Sequence, residues 1–87
     1  MRRLSYRVEV VKQAVKEYSD LPPADKGPIK KAILGLEAHP RGPQVKKLQD
    51  RDYYRLRVGD WRVFFAISDK LKKVTILSIE RRTTTTY

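Results

Sequence analysis

Arginines recur at short intervals through the second half of the chain: Arg55 and Arg57 in Tyr53-Tyr54-Arg55-Leu56-Arg57-Val58, Arg62 in Trp61-Arg62-Val63-Phe64-Phe65, and Arg81 and Arg82 after Val74-Thr75-Ile76-Leu77-Ser78-Ile79-Glu80. A guanidinium keeps its proton in proteins and offers five donors in a flat fork, so a group of them grips phosphate oxygens and stabilises charge on them. Interleaving with apolar residues at a period of two places such side chains on one face of a sheet. A surface of that kind suits a phosphodiester.

Parity says which arginines meet. Tyr54, Leu56 and Val58 share one face of their strand, and Tyr53, Arg55 and Arg57 share the other. With Val63, Phe65 and Ile67 directed to the core, Arg62 joins Arg55 and Arg57 on the outer face. The last strand is apolar at both parities; placing Val74, Ile76 and Ser78 outside brings Arg82 to the same face. Lys46, Lys47 and Arg51 lie in the loop before these strands and add charge beside them. Tyr53 and Phe64 set aromatics among the cations, the combination that stacks bases while holding phosphates. The competing readings are a plain solvated face for the arginines and core packing for the two aromatics.

The elements that must position these groups follow from periodicity. Leu4, Tyr6, Val8 and Val10 alternate with Ser5, Arg7 and Glu9, as in a half-buried strand. Val11, Ala14, Val15, Tyr18 and Leu21 then fall on one face of a helix that ends before Pro22-Pro23. Ile29, Ala32, Ile33 and Leu36 mark a second helix, closed by His39-Pro40-Arg41-Gly42-Pro43. An interior proline loses a hydrogen bond and crowds the preceding turn, so this helix is expected to start near Gly27 with Pro28 in its first turn. Strands over 52–58, 61–68 and 73–81 follow, the first two joined at Gly59-Asp60. The expected fold is α+β, β-α-α-β-β-β, with two N-terminal helices on one face of a four-stranded, mostly antiparallel sheet.

Composition narrows the chemistry. A chain of 87 residues fits a single domain over 1–87. Lys and Arg number 20 against 10 acidic residues, and the +10 field attracts polyanions or an acidic protein partner. There is no cysteine, hence no disulfide, thiolate metal site or cysteine nucleophile. His39 stands alone after a helix, where it complements the dipole. Asp50, Asp52, Asp60 and Asp69 lie singly at turns and strand ends. Neither a metal cluster nor a glycine-rich phosphate loop is present, so no metal and no small-molecule cofactor is expected. No apolar run reaches the ~20 residues of a membrane span, and Met1-Arg2-Arg3-Leu4 leads directly into alternating sequence without the apolar stretch of a signal peptide; no membrane is expected as a partner, and the expected location is cytoplasmic.

Val45-Lys46-Lys47-Leu48, the run Tyr54-Arg55-Leu56-Arg57-Val58-Gly59-Asp60-Trp61-Arg62-Val63, and Ile76-Leu77-Ser78-Ile79-Glu80-Arg81-Arg82 followed by Tyr87 together resemble the RelE/ParE superfamily of toxin-antitoxin toxins. The likeness covers almost the whole chain. The resemblance to the RelE branch implies ribosome-dependent, metal-independent cleavage of mRNA in the A site by the RNA's own 2′-hydroxyl. It further implies Arg62 as the phosphate-stabilising arginine, Arg82 as the leaving-group acid, with Arg81 in that role if the alignment shifts by one residue, and Tyr87 as the residue that stacks on or orients the nucleotide. Arg55 and Arg57 occupy positions where such enzymes often carry lysines; as arginines they suit charge stabilisation, not proton abstraction. Four threonines fill the spacing between Arg82 and Tyr87, where many relatives have charged residues. The implied partners are a cognate acidic antitoxin, mRNA and ribosomal RNA. The ParE branch implies instead a DNA gyrase poison without nuclease activity, and a non-toxic, antitoxin-binding relative is a third reading.

Overall fold

The computed structural model describes residues 6–48 and 53–81. Seven elements follow in order: β1 (Arg7–Val10), α1 (Lys12–Ser19), α2 (Pro23–Gly35), β2 (Val45–Lys47), β3 (Tyr53–Val58), β4 (Trp61–Ser68) and β5 (Lys73–Arg81). The strands form one sheet in the order β1-β5-β4-β3-β2, in which β1 runs parallel to β5 and the other neighbours are antiparallel. The architecture is α+β, with one strand more than expected: Val45–Lys47 is not a loop but an edge strand paired with Tyr54 to Leu56. Three residues are too few for alternation to be read in advance.

The core is apolar throughout, and none of the described polar side chains is fully buried. Ala14, Leu21, Ile29, Ile33 and Leu36 come from the helical layer and its turns; Tyr54, Leu56, Val63, Phe65, Ile67, Val74, Ile76 and Ile79 come from the sheet. The Tyr54 and Phe65 rings stack at 5.7 Å. Val15 departs from its expected place: it is 52% exposed, because Ala14 and Tyr18 already turn α1 onto the sheet.

The second helix also differs from expectation. It starts at Pro23, with a proline in its first turn, and runs through Pro28. Pro28 and Ala24 are both exposed, so the carbonyl that Pro28 cannot serve is within reach of water. Two residues after Ala24, the Lys26 carbonyl accepts a hydrogen bond from the Tyr18 hydroxyl at 3.1 Å, which ties α1 to α2.

A β-bulge sets the face of the last strand. Phe65 pairs with Ile76 but Phe64 pairs with Ser78, so Leu77 is the extra residue. Val74 and Ile76 therefore face the core, contrary to the outward placement considered from parity alone, and after the bulge Ser78 and Glu80 turn outward. β1 ends before this point. There Glu17 of α1 takes over, its Oε1 accepting the Ile79 backbone N–H at 2.8 Å.

Candidate nucleic-acid interface

The outer face of the sheet is ordered by register. Lys46 on β2 lies opposite Arg55 on β3, Arg55 opposite Phe64 on β4, and Phe64 opposite Ser78 on β5. One row along, Arg57 lies opposite Arg62 and Arg62 opposite Glu80. The Arg57 N–H donates to the Gln44 carbonyl at 3.2 Å, which brings the approach to β2 into this second row. Local sequence explains the alignment: Gly59, with φ +56°, takes the left-handed position of the two-residue Gly59-Asp60 turn and fixes the β3–β4 register.

Lys46, Arg55, Arg57 and Arg62 line a single cavity of about 400 Å³, walled by Pro43, Gln44 and Val45. Among the described residues no carboxylate lines it. Among the described residues Arg7, Lys16, Arg41 and Lys73 find acidic partners, as in Arg41–Asp69 at 3.0 Å and Lys73–Glu9 at 3.4 Å, whereas none of the four cavity cations forms an ion pair. Four cations in one concavity make an anion site with donors enough for a phosphate and its neighbours.

The wall is held from outside. Arg41 donates to both Asp69 oxygens at 3.0 Å and to the Tyr54 hydroxyl at 3.3 Å, and its guanidinium lies 5.3 Å from the Tyr54 ring centre. Tyr6 donates to Asp69 at 2.6 Å. The loop that leads to Pro43 and Gln44 is thereby clamped to the β4–β5 turn. The Arg41 and Tyr6 hydrogen bonds hold the Asp69 carboxyl below the usual carboxylate range, and the same contact raises Tyr6.

Of the residues expected at the site, Arg55, Arg57, Arg62 and Lys46 are brought together. Phe64 is half-buried on the same face beside them, and Tyr53 is exposed one row further, opposite Ala66. Lys47 pairs with the core residue Tyr54 and so turns to the helical side of the edge strand. Arg81 also points to that side: it pairs with Trp61 and lies 5.6 Å over its ring, away from the other arginines. Arg51, Arg82 and Tyr87 lie outside the described residues. Gln44 and Glu80 were not singled out from sequence; the Arg62–Glu80 pairing depends on the bulge, which no periodicity announces.

Comparison with known proteins gives the same family from three directions. Residues 6–85 match the family model described as ParE toxin of type II toxin-antitoxin system, parDE. RelE1 from Methanocaldococcus jannaschii is 30% identical over 83 residues, covering 91% of this chain and 92% of the relative. The crystal structure of the archaeal RelE-RelB complex from Pyrococcus horikoshii superimposes with a TM-score of 0.82 at 34% identity, over 94% of this chain and 100% of that one. The isolated E. coli RelE toxin shares the fold with a TM-score of 0.80 at 20% identity, over 92% of this chain and 87% of that one. Match, identity and architecture agree: the chain belongs to the RelE/ParE superfamily and is a RelE-like toxin of a type II toxin-antitoxin system.

Proposed function

We propose that this toxin is a ribosome-dependent endoribonuclease that cuts mRNA in the A site without a metal ion. The observation that supports it most is the cavity lined by Lys46, Arg55, Arg57 and Arg62, none of which forms an ion pair among the described residues. A cation-lined cavity repels metal ions and attracts a scissile phosphate. In the reaction the 2′-oxygen attacks the adjacent phosphorus, negative charge builds on the equatorial oxygens, and the 5′-oxygen departs, leaving a 2′,3′-cyclic phosphate and a 5′-hydroxyl. Arg62 and Arg57 oppose that charge from neighbouring strands, and Arg55 and Lys46 hold flanking phosphates. Phe64 and Tyr53 supply faces for bases. Arg82 and Tyr87 are assigned from the family resemblance, as leaving-group acid and nucleotide-orienting residue; Arg81, directed to Trp61, and Lys47 and Arg51 are left to wider contacts with ribosomal RNA.

Arg62→Ala is expected to lower cleavage in a translating extract by about 10²–10³-fold, the usual effect of removing one donor to transition-state charge. Mapping the RNA ends reads the chemistry: ends other than a cyclic phosphate and a 5′-hydroxyl, or intact mRNA with wild-type toxin, sink the proposal. The ParE name of the matching family model favours a second reading, a gyrase poison. Inhibited supercoiling by stoichiometric protein, with mRNA uncut, would establish that instead.

A cognate acidic antitoxin is the proposed partner. Support comes from the +10 charge and from Val10, Val15 and Leu34, which stand 40–52% exposed round a groove between β1 and the helices. Solved relatives include the RelE-RelB complex from Pyrococcus horikoshii.

A further inference from the structure

Among the described residues the cavity is lined by no carboxylate and no imidazole. Guanidiniums keep their protons, and lysine side chains are ordinarily protonated at neutral pH. Attack by a 2′-hydroxyl needs an acceptor near the phosphate, and among the described residues the outer face of the sheet presents one carboxylate next to the cations. Glu80 lies directly across from Arg62, one strand away, on the side opposite Arg57. Neighbouring strands are about 4.8 Å apart, and in RNA the attacking 2′-oxygen is on the sugar attached to the phosphate it attacks. A phosphate held at Arg62 and Arg57 can therefore have its 2′-oxygen over Glu80.

We infer that Glu80 is the general base of this toxin, taking the 2′-hydroxyl proton while Arg62 holds the phosphate; the inference rests on the nuclease reading above. The side chain is suited to the task. It is exposed, and it forms no ion pair with any described cation. Ser78 Oγ donates to Glu80 Oε2 at 3.3 Å, which orients the carboxylate and leaves Oε1 open. Ser78 in turn faces Phe64 across the strands, so a base stacked on Phe64 has its ribose near this pair. The bulge at Leu77 is what brings Ser78 and Glu80 to this face, and bulges are used beside active sites to re-aim side chains.

The step balances without a co-reactant. The 2′-O–H proton passes to a Glu80 oxygen, the 2′-O–P bond forms, the P–O5′ bond breaks, and the departing 5′-oxygen takes a proton from the acid or from water. Glu80 then returns its proton to solvent. The charged groups around it are Arg62 on β4, Arg57 beyond on β3, and Glu17 of α1, which reaches the adjacent Ile79 N–H from the core side.

The test is single-turnover cleavage on programmed ribosomes by wild type, Glu80→Gln and Glu80→Asp across pH, with ribosome binding measured alongside. Glu80→Gln should bind normally, cleave about 10²–10⁴-fold more slowly, and lose the acidic limb of its pH-rate profile; Glu80→Asp should keep that limb at reduced rate. Cleavage by Glu80→Gln at the wild-type rate, or a change in codon preference alone, overturns the assignment and leaves the nuclease reading standing. Uncut mRNA with wild-type protein removes the nuclease reading itself.

Discussion

Arg57 and Arg62 face each other across neighbouring strands, where like charges ordinarily cost about 0.2–1 kcal/mol. A pair placed so is retained at the expense of stability. Arg57→Ala is expected to raise the unfolding midpoint by a few degrees while lowering mRNA cleavage at least about 10-fold; melting curves and extract assays on one preparation check both. Asp69 makes the opposite kind of contact. Its carboxyl is depressed by Arg41 and then Tyr6, so the stabilisation is present above the unfolded value of about 3.9 and vanishes as pH falls through the folded value. Tyr6 is raised, chiefly by Asp69, so its share is present below about pH 10 and vanishes as pH rises through its folded value. Asp69→Asn should lower the urea midpoint at pH 7 and flatten its decline below about pH 4. Arg55, Arg57 and Arg62 could be grouped from sequence because each of their strands buries one clean parity. Arg81 could not be placed, since β5 is apolar on both faces and its parity changes at Leu77.

At the scale of elements, the junction between α1 and β5 is the exposed weakness. β1 stops at Val10, and beyond Ile76 the side of β5 that β1 had covered depends on a side chain, Glu17, to receive the Ile79 N–H. Glu17→Ala leaves that donor unsatisfied and is expected to cost about 1–3 kcal/mol. Hydrogen exchange should show faster exchange at Ile79 than in the β3–β4 hairpin; equal protection in both would show that the contact matters little. The hairpin boundaries were legible because Gly59-Asp60 punctuates two alternating runs. Pro28 misled because the rule against interior prolines assumes a carbonyl with no other partner, whereas here both positions lie at the solvent face. β2 was missed because its pairing comes from β3 and not from its own three residues.

The whole molecule adds a long-range field to these local contacts. Four cations engaging single-stranded RNA should give a log–log salt dependence of affinity with a slope of about −3, at roughly 0.7 per phosphate. Titrations at several ionic strengths measure it, and Arg62→Ala should make the slope shallower by about one contact; a slope near zero would mean that the cavity does not bind the backbone. The order β1-β5-β4-β3-β2 has a bearing on synthesis as well. β5, paired on both sides, is the last of the described elements to leave the ribosome, and until it does β1 has no partner and the β3–β4 hairpin has no inner neighbour. The strands that carry Lys46, Arg55, Arg57 and Arg62 are thus backed by a complete sheet only once β5 has joined it. Limited proteolysis of stalled chains should find protease resistance arriving abruptly with that strand.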